Sequence, residues 1–271
     1  MKTRYTLRAL FVGIMALLLS ACAPIVITGS ADVDNDAFGP KKKFAVVSIS
    51  AMKTFHGEKG FTQLFKDTDE IPGANSQPLI DAVKPMIVRS LGKNHNMVLV
   101  TERQVLSNRA YKAMQEDERK ISKLFFSDEV NVAPGYKYFS DPKKYAQLAK
   151  ALNVDGVIGI HMAFSVTTSK GGININGLSF GRKSYSPTAT ITAMAYNREG
   201  KQIWEDSTVK QAEPGDKKAI FLIDFSDVTS TDFRKMHPKA IEIGGKAVDV
   251  LLARLDDSLS GKGTSSMQSV K

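Results

Sequence analysis

Few side chains in this 271-residue chain belong to the types that perform chemistry at neutral pH. The histidines are His56, His95, His161 and His237. None of them pairs with another at the spacing of metal ligands, and the single cysteine leaves no second thiol for a metal or a disulfide. A phosphate-binding loop and a dinucleotide-binding glycine fingerprint are both absent from the sequence. We therefore expect a protein without catalytic activity, cofactor or metal.

The amino terminus carries the most specific pattern in the chain. Basic residues occur at positions 2, 4 and 8, and an unbroken apolar run extends from Ala9 to Leu19. This run is shorter than the ~20 residues that a membrane-spanning helix needs, but it suits the core of a signal peptide. Leu19-Ser20-Ala21-Cys22 follows where cleavage is expected, and Cys22 is the only cysteine.

This pattern resembles the bacterial lipobox. The resemblance implies that residues 1–21 are a cleaved signal peptide, that Cys22 carries a thioether-linked diacylglycerol, and that its new amino group is acylated. The alternative is an ordinary secretory signal that happens to contain a cysteine. Ala23, rather than aspartate, follows Cys22. By resemblance to the sorting rule of enteric bacteria, this favours anchoring in the outer membrane, facing the periplasm.

The charge of the chain is mild once the signal peptide is set aside. Removal of residues 1–21 takes three of the 37 basic residues and none of the 28 acidic ones, which leaves a net charge of +6. Apart from Lys41-Lys42-Lys43, the basic residues are scattered. This distribution is typical of a solvated surface with a basic linker, and it argues against nucleic-acid binding.

Composition divides the remaining chain into three parts. Residues 22–43 read as a lipidated tether, residues 44–260 as an α/β domain, and residues 261–271 as a polar, disordered tail. The tether contains three alternating aspartates, at positions 32, 34 and 36, as some calcium loops do. No glycine or glutamate follows at the required offsets, so we interpret this segment as a linker.

Hydrophobic periodicity predicts the elements of the domain. The predicted elements are a strand at 44–50, a helix at 78–94, a strand at 97–101, one long or two short helices within 102–126, a helix at 142–153, a strand at 156–166, a hairpin at 188–196 and 201–206, a strand or short helix at 219–225, and a helix at 240–259. Pro85 either kinks the second element or marks its start. The order predicts a mixed α/β fold, in three layers, whose sheet starts parallel, ends antiparallel and is flanked by helices.

The strand at 156–166 is the centre of this prediction. Its even-numbered positions from Ile158 to Val166 are apolar, whereas the odd-numbered positions are small or polar and include His161. We interpret His161 as a half-buried histidine rather than a ligand. Asp155, just before the strand, is expected to cap the turn or face solvent rather than act as a base.

The order of elements is similar to a known family. The matching pieces are the strand Phe44–Ser50, the segment Met97–Arg103, the helix-Asp-Gly-strand piece Tyr145–Ile158 and the hairpin end Asn197-Arg-Glu-Gly-Lys-Gln-Ile-Trp204. Together they resemble the periplasmic α/β module shared by the curli-secretion lipoprotein, the penicillin-binding-protein-activator lipoproteins and the amino-terminal domain of the Tol β-propeller protein. The resemblance implies a lipid-anchored, non-enzymatic domain that binds envelope proteins or assembles into rings, and it transfers no catalytic residues.

Two segments favour interaction with other molecules. Tyr136, Lys137, Tyr138 and Phe139 combine aromatic and basic groups, as interfaces do, although a loop packed on the core would explain the aromatics equally well. The glycine-rich excursion at 167–187 lies where the curli-secretion relative forms membrane hairpins. We therefore expect a lipid-anchored protein-binding adaptor, and the alternative is a subunit of an oligomeric outer-membrane export pore.

Overall fold

A computed structural model describes residues 32–57, 75–123, 126–170, 173–175, 178–180, 183–211, 221–223 and 230–261. The helices are α1 (Gln77–Lys93), α2 (Glu102–Ser107), α3 (Arg109–Ala113), α4 (Pro142–Ala151) and α5 (Ser230–Leu259), and a short 3-10 helix spans Asn35–Ala37. The strands are β1 (Asp32–Val33), β2 (Lys43–Met52), β3 (His56–Gly57), β4 (Val98–Leu99), β5 (Lys120–Lys123), β6 (Phe126–Val132), β7 (Gly156–Lys170), β8 (Ile173–Ile175), β9 (Leu178–Phe180), β10 (Lys183–Asn197), β11 (Gln202–Gln211) and β12 (Phe221–Ile223).

The strands form one mixed sheet in the order β1-β11-β10-β7-β2-β6-β5, and β8 and β9 pair separately. β2 runs parallel to β7, whereas β7, β10 and β11 are successively antiparallel. The predicted sheet, parallel at its start and antiparallel at its end, is therefore confirmed. The long partner of the central strand is the hairpin strand β10, which pairs with β7 along its whole length.

Two apolar layers lie on opposite faces of the sheet. On one face, the even-numbered side chains of β7 from Ile158 to Val166 are buried in a cluster with residues of α1 and α5. On the other face, Val157 lies in a second cluster with Tyr145 and Leu148 of α4. Helices thus cover both faces, which confirms the predicted three-layer arrangement and the predicted faces of the central strand.

Local sequence explains the helix that precedes this strand. The Asp141 side chain accepts a hydrogen bond from the Lys143 amide at 2.9 Å, and Pro142 occupies the first turn. The helix ends at Ala151, and Asn153 adopts a left-handed conformation with a φ of 53°. The predicted helix start at Asp141 and helix end near Asn153 are both confirmed.

Several predicted elements differ in extent. Helix α1 begins at Gln77 and continues through Pro85, so the alternative that Pro85 marks its start is wrong. The stretch from 102 to 126 holds two short helices and then a strand. The predicted strand at 97–101 is reduced to two residues of β4, and α5 begins at Ser230 rather than near 240. The segment at 219–225 contains a strand, β12.

The fold extends into the segment predicted as a tether. Asp32 and Val33 pair with Glu205 and Trp204 of β11. Phe38 is 8% exposed, and its ring stacks on Phe44 at a centroid distance of 4.9 Å. The described fold thus includes part of the predicted tether, because the Phe38 ring and the pairing with β11 hold this segment against the sheet. The predictions for residues 1–31, including the signal peptide and the lipidated Cys22, and for the tail at 262–271 lie outside the described residues.

Candidate functional site

The aromatic residues of the predicted partner-binding loop lie in the core. Tyr136 is 5% exposed, Tyr138 is 8% exposed and Phe139 is 2% exposed. The Phe139 ring makes edge-on contacts with the rings of Tyr111 and Tyr145, each at 6.2 Å. The sequence left two alternatives open, an interface or a loop packed on the core. In the structure, this loop packs on the core. These three aromatics therefore present no face to a partner.

Lys137, the basic member of that loop, binds the end of a helix. Its Nζ donates hydrogen bonds to the carbonyl oxygens of Tyr111, Lys112 and Met114, at 3.1, 2.7 and 2.5 Å. These carbonyls lie at the carboxyl end of α3, where the backbone has no helical partners of its own and the helix dipole attracts a cation. Lys137 therefore stabilises α3 against the loop.

We expect Lys137→Met to lower the free energy of unfolding by about 2 kcal/mol, because a charged donor is lost from three carbonyls while the aliphatic stem is kept. Urea unfolding followed by circular dichroism would measure this change. Lys143→Met is the matched control. Lys143 is exposed on α4, and its hydrogen bond to Asp141 is made by the backbone amide, which the substitution keeps. Equal stability of the two variants would refute the capping role of Lys137.

A carboxylate holds the other end of the same loop. Asp117 accepts hydrogen bonds from the Ser140 amide at 2.7 Å and the Asp141 amide at 3.1 Å, and it also pairs with the Lys144 ammonium. Burial acts to raise the pKa of Asp117, but the Lys144 ammonium and these amides outweigh it and lower the pKa to about 2. The stability that the ionised Asp117 gains from these partners is present above pH 4, and it is lost as the pH falls toward 2.

His161 makes a cross-strand hydrogen bond. Its Nδ1 lies 2.9 Å from Oγ of Ser50, the residue opposite it on β2, and the histidine is half-buried as predicted. A serine nucleophile activated by histidine must be reachable by substrate. Ser50 is 2% exposed within a strand, and its Oγ also donates to the Ile160 carbonyl at 3.4 Å. The geometry indicates a bond that joins β2 to β7 rather than a catalytic pair.

A second serine, Ser179, belongs to a hydrolase-like motif that the sequence analysis missed. The letters Gly-x-Ser-x-Gly occur at residues 177–181, around Ser179. In α/β-hydrolases this motif forms a sharp turn from a strand into a helix. Ser179 instead lies inside β9, opposite Asn174 of β8, and the next described helix begins at Ser230. The strand context is not that of a nucleophile elbow.

Asp155 bonds to a neighbouring strand, rather than capping its own turn as predicted. Its Oδ2 accepts a hydrogen bond from the Lys43 amide at 2.7 Å, at the point where β2 begins beside β7. Within the described ranges, no three histidine, cysteine, aspartate or glutamate residues come close enough to hold a metal ion.

The candidate binding site is a groove between α1 and α5, here named the α1–α5 groove. It has a volume of about 600 Å3 and opens to solvent. Its α1 side and the turn after it contribute Met86, Arg89, Ser90, Lys93, Asn94 and His95, and its α5 side contributes Glu242, Gly245, Lys246, Asp249, Leu252, Ala253 and Asp256. This volume lies within the range of known ligand sites.

Hydrogen bonds between the two walls fix the shape of the α1–α5 groove. Ser90 Oγ donates to Asp249 Oδ1 at 2.9 Å. Asp256 Oδ1 accepts from Asn94 Nδ2 at 2.8 Å and from Asn96 Nδ2 at 2.7 Å. These bonds tie α1 and the turn after it to α5, so the two walls of the groove are fixed to each other although they are far apart in sequence.

Gly245 of α5 and Met86 of α1 meet at the floor of the groove. A Cβ atom on Gly245 would lie 2.9 Å from Met86 Sδ, closer than the two atoms can pack. Glu242, on the rim, pairs with Lys246 and Lys239, each at 2.9 Å, and these ammonium groups lower its pKa. The groove thus combines a partly apolar floor with a rim of both charges, a composition typical of protein interfaces.

Helical spacing in the sequence marks both walls of this groove. On α1, positions 86, 89, 90 and 93 follow helical spacing, and on α5 so do positions 242, 245, 246, 249, 253 and 256. Each set forms a mostly polar stripe beside the apolar stripe that faces the core. Sequence alone does not show that the two stripes face each other.

Over the described residues, no helix is both long enough and apolar enough to cross a membrane. No family model matches the chain, and no curated protein matches it. Among solved structures, the chain is similar to the C-terminal domain of LpoB from Salmonella enterica, with a TM-score of 0.30 and 10% sequence identity. The match covers 65% of this chain and 85% of that chain. A likeness this weak assigns neither a family nor a function.

Proposed function

We propose that this chain is a lipid-anchored protein of the bacterial envelope, whose α/β domain binds a protein partner through the α1–α5 groove without catalysing a reaction. The observation that carries the proposal is the groove itself, with its fixed walls, its partly apolar floor and its charged rim. A protein segment with an apolar anchor and flanking polar groups would match such a surface.

The side chains that could perform chemistry form hydrogen bonds within the fold, which supports a binding role. Ser50 and His161 bond to each other, Asp155 caps a strand, and Lys137 caps a helix. The hydrogen bonds described for these groups are made inside the fold. The groove places exposed Arg89 and Lys93 on one wall, and exposed Lys246, paired with Glu242, on the other. Charged groups at an interface steer and orient a partner.

Anchoring through Cys22 rests on the lipobox resemblance, and one substitution tests it. We expect the full chain with Cys22→Ala to fractionate as a soluble protein, whereas the unchanged chain stays with membranes, because several acyl chains bind a bilayer firmly. Mass spectrometry of the amino-terminal peptide should find the acylated cysteine. A membrane-bound Cys22→Ala variant, or an unmodified cysteine in the unchanged chain, would contradict the anchor.

Partner binding is tested by photo-crosslinking in cells. A photoreactive residue at Arg89 or Lys246 should give a discrete protein adduct, whereas one at Lys150, exposed on α4, should not. Ala253→Arg, which fills the groove from an exposed position, should abolish the adduct, and Gln147→Arg on α4 is its matched control. Adducts that form equally on α4, or that survive Ala253→Arg, would refute binding through the groove.

Native mass measurement or particle imaging in detergent tests the alternative function, a subunit of an export pore. Such a subunit would form a ring.

A further inference from the structure

The helices on the far side of the sheet from the α1–α5 groove are rich in positive charge. Val105 of α2, Tyr111 of α3 and Leu148 of α4 are buried together on this face of the sheet. α2 contacts α3, and α3 contacts α4, so the three helices form one continuous layer. Within these helices six residues are lysine or arginine, and one residue, Glu102, is acidic.

Five of these cations form an exposed surface, here named the basic layer. Its members are Arg103, Arg109, Lys112, Lys143 and Lys150. None of them forms an ion pair within the described part of the chain. The acidic groups beside them are already engaged, since Glu102 pairs with Lys84 at 2.7 Å and Glu116 pairs with Arg119 at 3.0 Å. Glu118, in the loop that follows α3, is the exposed group of opposite sign. The basic layer therefore carries an excess of positive charge.

The basic layer presents charge without an apolar anchor. Among the described residues, Val98 of β4 is the exposed large apolar side chain, and it lies outside these helices. A protein interface is usually centred on buried aromatic or aliphatic side chains. A cationic surface that spans three helices and lacks such a centre matches a broad, polar and anionic surface. The headgroups of a bilayer that contains anionic lipids have these properties.

We propose that the basic layer is a docking surface for a bilayer that contains anionic lipids. Each lysine or arginine close to such a bilayer strengthens binding by about fivefold. Five of them together strengthen it by up to about a thousandfold, although each one alone binds weakly. The five residues are scattered along the sequence, and the packing of α2, α3 and α4 on one face of the sheet brings them to a common surface.

This docking would determine which way the α1–α5 groove faces. The groove helices and the basic layer lie on opposite faces of the sheet. If the basic layer rests on the membrane that anchors the chain, the groove opens away from that membrane, toward a soluble or neighbouring partner. This consequence rests on the proposed lipid anchor and the proposed groove, whereas the contact with anionic lipid depends on neither.

Vesicle binding tests the basic layer without a lipid anchor. The protein is the full chain with Cys22→Ala, and the vesicles contain either phosphatidylcholine alone or phosphatidylcholine with about 30% phosphatidylglycerol. At about 0.1 M salt, we expect at least about tenfold tighter binding to the anionic vesicles. The preference should disappear at about 1 M salt, where the Debye length falls to about 3 Å. The amino terminus is the same in every variant, so differences between variants report the charges alone.

Two triple variants remove the same charge from opposite faces of the sheet. The basic-layer variant carries Arg103→Gln, Lys112→Gln and Lys150→Gln, and the groove variant carries Arg89→Gln, Lys93→Gln and Lys246→Gln, all at exposed positions. Two packed layers separate the two sets by about 20 Å, or about two Debye lengths at 0.1 M salt. The basic-layer variant should bind anionic vesicles at least about tenfold more weakly than the unchanged protein, and the groove variant should stay within about twofold of it.

Equal losses in the two triple variants would overturn the proposal, because net charge rather than this face would then explain the binding. The absence of any preference for anionic vesicles would also overturn it. Arg109→Gln with Lys143→Gln is an independent pair from the basic layer and should weaken binding by at least about fivefold. A discrete protein adduct in cells from a photoreactive residue at Arg109 would show that an acidic protein occupies the layer instead. Neither the anchor nor the groove enters the vesicle measurement, so its failure is distinct from a failure of the proposed function.

Discussion

Arg254→Met is expected to lower the free energy of unfolding by about 3–5 kcal/mol at pH 7. Arg254 lies on α5, and its Nη2 donates to Asp206 Oδ1 of β11 at 2.9 Å. The Asp206 side chain is fully buried, and the side chain of Arg254 is 12% exposed. Removal of the guanidinium leaves a carboxylate in the interior without its cationic partner, whereas methionine retains most of the apolar volume.

The pH dependence of this variant follows from the carboxylate. Burial raises the pKa of Asp206, and the Arg254 guanidinium and the Ser207 amide oppose that rise. In Arg254→Met the guanidinium is absent, so the pKa of Asp206 rises further. A carboxyl group whose pKa is higher in the folded state binds its proton more tightly there. Stability therefore falls as the pH rises from about 4 through the raised pKa, and the deficit of Arg254→Met should be smaller at pH 4 than at pH 7.

Two control variants separate the buried ion pair from its surroundings. Asp206→Leu combined with Arg254→Met should recover most of the lost stability, because a buried ion pair replaced by apolar side chains costs little. Lys246→Met, at an exposed position of the same helix, should change stability by less than about 0.5 kcal/mol. Urea unfolding at both pH values measures all three variants. A double variant no more stable than Arg254→Met would refute the account of an unpaired buried charge.

Gly159→Ala should destabilise the fold by about 3 kcal/mol, at the upper end of what overpacking a core costs. Gly159 lies in β7 beneath α4. A Cβ atom there would overlap Tyr145 Oη and would lie 3.0 Å from two carbon atoms of the ring. Tyr145 cannot easily move away, because it is buried, its hydroxyl donates to the Phe139 carbonyl at 2.9 Å, and its ring packs against Tyr196.

A double-mutant cycle checks that this clash is the cause. Tyr145→Phe removes the atom that the new methyl group would overlap, at the cost of the hydrogen bond to Phe139. The double variant should therefore be more stable than the sum of the two single changes predicts, by at least about 1 kcal/mol. Additive effects would show that the methyl group acts elsewhere. Ala163→Gly, on the same face of β7, measures the effect on stability of exchanging alanine and glycine in this strand, which includes the difference in backbone freedom.

Sequence periodicity was sufficient for the central elements of the fold. The apolar positions of α4 and β7 repeat at the helical and strand periods, so their types, faces and connection were predictable from residues 141–166 alone. The hairpin of β10 and β11 was predictable for the same reason, with its turn near Gly200. Each of these signals depends only on neighbours along the chain, because a periodic pattern reports which side of an element is buried.

What covers each buried side was decided by the tertiary structure. Ser50 bonds to His161 across 111 positions in the sequence, and the Lys43 amide bonds to Asp155 across 112 positions. The burial of Tyr136, Tyr138 and Phe139 likewise depends on partners far from them in sequence, so their composition suggested an interface as readily as a core.

The candidate site shows the same division. The polar stripes of α1 and α5 are each present in the sequence, about 160 residues apart at their Asn94–Asp256 contact. They become one groove because the sheet holds both helices on the same face, where Gly245 lies against Met86. The sequence by itself therefore determined the central elements, their faces and the lipobox-like amino terminus, since these depend on local spacing. The groove, the buried ion pair and the strand register were decided only in three dimensions, because each requires long-range contacts that no local pattern encodes.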